Sequence, residues 1–248
     1  MTRREIAIRT EDGTASATLF LPDAASPAII RPGVVLYMDA FGPRPALDQM
    51  AERLAAEGYV VLVPDLFYRF GAYGPFDAKT AFKEEASARQ LRAMIDGTTQ
   101  AMTIADTGHF LDALSEAGAQ GPAGVVGYCM GGSRALSAAA AYPERIAAAA
   151  SFHGGNLASD KPDSPHLKAA SIKARVHIGT AGVDGSFPPE QSARLVEAFR
   201  RAEVDFVLEN YVGMAHGWCV PDHSVYDEAG AERQFRRLFT FFGETLKG

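Results

Sequence analysis

Three side chains able to cooperate in acyl transfer stand in glycine-rich settings along this chain: a thiol, a carboxylate and an imidazole. The thiol lies in Gly127-Tyr128-Cys129-Met130-Gly131-Gly132, which reads G-x-C-x-G. The motif follows an apolar run and opens a stretch of small residues with helical spacing. In a strand–turn–helix context this is a nucleophile elbow with Cys in the nucleophile's place. The glycines have a physical reason. The central residue sits on a strained turn, and side chains two before or two after it would collide. A helix that starts at the turn aims its positive end at the sulfur and favours thiolate. Read blandly, the same residues are a buried structural cysteine beside a packing turn.

An elbow enzyme needs an acid and then a histidine, each after a later strand. Asp184 follows an apolar run in "GVDGSFPPE", and His216 follows another in "GMAHGWCVPD". His216 is the expected general base and acid, with Asp184 orienting it. Asp222 and Asp227 come too soon after His216, and Asp160 and Asp163 precede a strand. Of the other histidines, His177 reads as interior and His109 as mid-helix, while His166 and His223 fall in polar loops expected to be exposed. His153 ends a strand near the elbow and is expected to line the pocket. Oxyanion donors are expected from the backbone amides of Met130 and of Ala40, in "MDAFG", with Phe41 as the second choice in that loop. Asp39, an acid closing a buried strand, reads equally as a turn acid or a site residue. Tyr128 and Trp218, flanking the thiol and the imidazole, join the expected substrate contacts.

These residues must be held by a scaffold, and the apolar patterning describes one. Alternating segments at 5–9 and 15–21, joined by a turn at "EDG", predict a hairpin. Apolar runs at 33–39 and 59–65 flank a helical pattern at 44–58, giving a strand–helix–strand unit. Further strands are predicted before the elbow, near 147–153, at 174–182 and at 204–211. Helical patterns cover 98–117, 187–203 and 229–246. Alternation of this kind predicts a mostly parallel, doubly wound sheet with helices on both faces, as one domain over 1–248. Residues 66–97 are irregular and aromatic, a surface excursion or a lid over a pocket.

Composition narrows the partners. Net charge is −6, from 24 basic and 30 acidic residues, with no basic cluster of the kind nucleic acid requires. Two cysteines are not a disulfide framework. The start has no apolar leader, and no run approaches eighteen apolar residues, so neither secretion nor a membrane span is expected. A cytoplasmic enzyme acting on a small ester or lactone, as monomer or homodimer, fits these bounds.

The elbow and loops, with "GVVLYMDAFG" and "YVVLVPDLFYR", resemble the dienelactone hydrolase family of α/β-hydrolases over nearly the whole chain. The resemblance implies a Cys129–His216–Asp184 triad that opens an enol-lactone ring to an oxo acid, in bacterial breakdown of aromatic compounds. It implies no metal and no organic cofactor. In the best-known members a Glu at the position of Asp39 contacts the resting thiol. Arginines there bind the substrate carboxylate, one of them four residues past the catalytic histidine, where this chain has Val220. Arg69 is the candidate substitute cation. Other readings are a broader carboxylesterase or thioesterase, and a ligand-binding protein that kept the pocket without turnover.

Overall fold

The computed structural model describes residues 1–23 and 30–248. Strands β1 (Thr2–Thr10) and β2 (Gly13–Leu21) form the expected hairpin, longer at both ends than the sequence pattern suggests. Ile8, Ala15, Ala17 and Leu19 turn inward from it. The remaining strands are β3 (Gly33–Tyr37), β4 (Val60–Pro64), β5 (Ala123–Tyr128), β6 (Ile146–Phe152), β7 (Arg175–Val183) and β8 (Phe206–Ala215). They build one eight-stranded sheet in the order β1-β2-β4-β3-β5-β6-β7-β8. β2 meets β1 and β4 antiparallel, and every other pair is parallel. Every residue of β3, β4 and β5 is buried, as parallel strands covered on both faces must be.

Helices α1 (Pro45–Ala56) and α6 (Glu228–Leu246) cover one face, joined by the Arg53–Glu232 ion pair and by Arg53 over the Phe235 ring. Helices α3 (Gln100–Glu116), α4 (Met130–Ala141) and α5 (Pro189–Arg201) cover the other. The order reverses at β3: β4 lies to one side and β5 to the other. A crevice opens at such a switch above the carboxyl ends of the strands, and the β5–α4 turn stands there. β6 contributes Ala148, Ala149 and Ala150, small enough for α4 to lie close. No helix among the described residues is long and apolar enough to cross a membrane.

The excursion at 66–97 holds more regular structure than its sequence suggests. A 3-10 turn spans Tyr68–Phe70, and helix α2 spans Glu85–Gly97, burying Ala88, Leu91 and Met94 among charged neighbours. Arg69 is not near the thiol. Its guanidinium grips Asp106 through Nη1 (2.7 Å) and Nη2 (2.8 Å), donates to Asp12 from Nε (2.9 Å) and Nη2 (2.7 Å), and lies over the Tyr68 ring. The expected substrate cation is instead a clamp between the excursion, α3 and the β1–β2 hairpin. Breaking a buried pair by removing one partner typically costs about 3–5 kcal/mol. Asp106→Ala should therefore lower unfolding stability in urea by about that much, while Arg69→Ala leaves KM for any ester unchanged. A KM rise in Arg69→Ala would restore Arg69 to the site.

Candidate active site

β5 ends in Gly127-Tyr128, and the next residue, Cys129, has φ 55° and ψ −119°. A non-glycine residue in such a conformation costs on the order of 1–3 kcal/mol and survives only where its surroundings impose it. Here they do. A Cβ on Gly127 would stand 1.9 Å from the Gly131 carbonyl oxygen, and one on Gly131 would stand 2.4 Å from that of Tyr37. Both contacts are with backbone, so no side chain can move aside. The Cys129 carbonyl accepts from the Gly132 (3.1 Å) and Gly155 (3.3 Å) amides. Its own amide is shared between the Phe152 carbonyl (3.3 Å) and Nδ1 of His153 (3.1 Å). The thiol is thereby lifted to the head of α4, in the positive field of the helix N-terminus.

Asp184 leaves the end of β7 and His216 the end of β8. Their side chains meet at 2.8 Å, Nδ1 to Oδ2. The other Asp184 oxygen accepts from the amide (2.8 Å) and hydroxyl (2.6 Å) of Ser186. The carboxylate is an acceptor at every contact, so the imidazole proton facing it belongs on Nδ1. Burial raises the Asp184 pKa, but His216 and then Ser186 outweigh it and hold the group below the usual carboxylate range. For His216, burial opposes charge. The adjacent Cys129 side chain and then Asp184 reverse that, and the imidazole is pushed up to about 10. Ser186 is absent from the sequence reading, although an Asp followed two residues later by Ser is an ordinary turn signal.

Cys129, His216 and Ser186 open into a cavity of about 260 Å³. Ala40 and Met130 line it next to the thiol. Neither of their backbone amides has an acceptor among the described residues. Phe82 and Ile95 bring the 66–97 excursion over one side, and the 155–165 loop closes the other.

Four expected contacts with substrate lie elsewhere. Tyr128 is fully buried, stacked on Phe152 and accepting from Gln234 Nε2 at 3.3 Å, because it points into the layer under α6. Trp218 is also fully buried, stacked on Tyr211 at 4.6 Å and edge-on to His153. Phe41 packs on Phe82 and His223 and faces a neighbouring surface hollow. His153 lies behind the elbow rather than on the cavity wall: its Nδ1 holds the Cys129 amide, and its own backbone is left-handed, φ 38°. Burial, with His216 and His223 beside it, keeps this ring neutral.

Asp39 is fully buried under the site. Arg44 grips it with two N–H groups (2.6 and 2.8 Å), Nε2 of His223 sits 3.0 Å away, and the Phe41 amide donates to it at 3.0 Å. Burial alone would raise its pKa, and these partners reverse the sign. The described contacts thus make it the anchor of the Ala40 loop. His223, expected to be exposed, has a side chain 9% accessible because Asp39 claims it. The rival acids are occupied as well: Asp222 pairs with Arg44, and Asp227 caps α6 by accepting from the Gly230 amide.

The raised His216 pKa has a pH signature. Because the folded value lies above the free value of roughly 6.5, the interaction stabilises the fold fully below pH 6.5. It is lost as pH rises through about 10. The stability gap between the protein and His216→Gln should shrink over that window. Imidazole NMR should show the titration midpoint falling in Asp184→Asn; an unshifted midpoint would remove Asp184 as the partner.

Comparison with known proteins places the chain in a family. The model of the dienelactone hydrolase family matches residues 16–246. A carboxymethylenebutenolidase of Rhodococcus opacus is 30% identical over 220 residues, covering 86% of this chain and 81% of its own. Two solved structures share the fold over 98% of both chains. One is a dienelactone hydrolase-like promiscuous phosphotriesterase from metagenomic libraries, 24% identical with TM-score 0.81. The other is a dienelactone hydrolase from Anabaena variabilis, 19% identical with TM-score 0.66. The chain belongs to the dienelactone hydrolase family.

Proposed function

We propose that the protein hydrolyses esters or lactones through a thioester on Cys129, with enol-lactone ring opening as its foremost reaction. The observation that carries the reading is the strained Cys129 at the head of α4, with the His216–Asp184 pair opening into the same cavity. The raised pKa of His216, with the Cys129 side chain and Asp184 beside it, supports a protonated imidazole next to the sulfur. The sulfur then needs no base at the moment of attack.

Sulfur adds to the acyl carbon and its carbonyl oxygen gains negative charge. The Met130 and Ala40 amides are placed to receive that charge; losing one donor of this kind typically costs about 100- to 1,000-fold in rate. Collapse expels the ring oxygen, which takes the proton from His216 Nε2, leaving a thioester. His216, now neutral and held in its Nδ1–H tautomer by Asp184, draws a proton from water, which attacks the thioester. The acid departs, the proton on His216 restores the ion pair, and Cys129 is free again. Protonated by His216, the ring oxygen leaves as an enol that tautomerises to a ketone, so ring opening does not reverse. An amine leaves far less readily than the sulfur, so amides are poor substrates. Cys129 and Cys219 are both free thiols, which supports a reducing compartment such as the cytoplasm.

The test is hydrolysis of a dienelactone and a small aryl ester by the protein and by Cys129→Ala. The expected result is ring opening by the protein and a loss of at least about 1,000-fold in the variant, as for other nucleophile deletions. Cleavage of the aryl ester alone, still dependent on Cys129, would keep the chemistry and move the substrate. Undiminished turnover in Cys129→Ala would overturn the proposal.

A further inference from the structure

β1 stands at one end of the sheet, and among the described residues no strand pairs with its outer edge. Such an edge is a row of free backbone donors and acceptors, a liability that folds usually blunt. β8, at the other end, is blunted. Its ladder with β7 shifts register between Ala181 and Val183, and Gly213 turns the chain with φ 78°. β1 has neither device, and it pairs with β2 without a shift from Thr2↔Leu21 to Thr10↔Gly13. That register says which groups are free. Thr10 and Gly13 flank a two-residue turn, so they exchange both of their backbone bonds, and the alternation runs back along the strand. Thr2, Arg4, Ile6, Ile8 and Thr10 therefore spend their N–H and C=O groups on β2. Arg3, Glu5, Ala7 and Arg9 turn theirs to the open edge.

These four residues and Glu11, in the turn, are all exposed. Arg3 donates to Glu5 and to Asp48, each at 3.2 Å. Arg9 and Glu11 have no ion pair among the described residues. An identical strand can pair antiparallel here about a two-fold axis. With the axis at Ala7, Glu5 lies opposite the partner's Arg9, and Arg3 lies level with the partner's Glu11, each twice by symmetry. On the other face Ile6 meets the partner's Ile8, on the floor of a groove of about 490 Å³ between β1 and α3. A slip of two residues sets Arg3 against the partner's Arg9, or Glu5 against the partner's Glu11. A slip of four brings Glu5 or Arg9 against its own copy. Like charges directly opposite are destabilising, so the Ala7-centred register is the one that satisfies backbone and charge together.

We propose that β1 is a docking edge for a second copy of this chain, giving a two-fold dimer in which the two eight-stranded sheets become one. The competing role for Arg3, Glu5 and Arg9 is to keep β1 from pairing at all. The two roles differ in what reversing a charge does. Charges that only repel strands are interchangeable in sign, whereas paired charges are not.

The experiment is sedimentation equilibrium over a dilution series of the full chain. It compares the unmodified protein, Ala7→Pro, Glu5→Arg, Arg9→Glu and the double variant carrying both reversals. The unmodified protein should show twice the mass of one chain and dissociate on dilution. Ala7→Pro removes the N–H at the axis, one that β2 does not use, and should be a monomer throughout. Each single reversal sets like charges opposite one another twice and should raise the dissociation constant about tenfold. The double variant restores opposite signs and should recover most of that loss. A monomer at every concentration of the unmodified protein would overturn the proposal. So would a dimer indifferent to Ala7→Pro and to the reversals, since its interface would lie elsewhere. Should Ala7→Pro fail to fold, the reversals decide, all of them at exposed positions: losses that add in the double variant, instead of cancelling, would overturn the pairing.

Discussion

The turn between β5 and α4 is a place where three backbones meet with no room for a side chain. Gly127 lies against the Gly131 carbonyl, and Gly131 lies against the carbonyl of Tyr37 at the end of β3. This contact pins the first turn of α4 to two neighbouring strands. It also forces the residue between the glycines into a conformation that an L side chain rarely adopts, and so lifts the Cys129 thiol off the sheet edge. The strain is bearable because the flanking sheet is fully buried and parallel, and so cannot relax locally.

Around this contact the structure invests polar groups in holding backbone rather than touching ligand. His153 gives Nδ1 to the Cys129 amide. Asp39, with Arg44 and His223, steadies the loop that brings Ala40 beside the thiol. Ser186 fixes Asp184, which fixes His216. The thiol-bearing turn, the Ala40 loop and the His216 imidazole therefore each have a supporting partner, the arrangement expected where small errors of position are costly.

How much of this was legible in the sequence depended on whether a feature is local. The elbow declared itself, because glycines at 127 and 131 answer a collision within one turn. Asp184 and His216 could be placed because a parallel sheet delivers each strand's end to the same edge. Helix α2 was missed because its buried Ala88, Leu91 and Met94 are outnumbered by charges and Glu84 supplies no capping hydrogen bond. The roles of Arg69 and His223 were misread for a different reason. Their partners lie far off in the chain, as with His223 and Asp39, 184 residues apart, and no spacing encodes such pairings. Tyr128 and Trp218 sit beside reactive residues in sequence yet bury their rings in the core, since adjacent side chains leave the backbone in different directions.

The central claim is that a covalent bond forms at one sulfur. It is tested most directly by mixing the protein with an activated aryl ester, quenching in acid within the first turnovers, and locating the acyl group by peptide mass spectrometry. The account predicts a thioester on the peptide containing Cys129, formed and consumed at rates that match turnover, and persisting when His216→Ala blocks its hydrolysis. Acylation at another residue, or full turnover with Cys129 never modified, would contradict it.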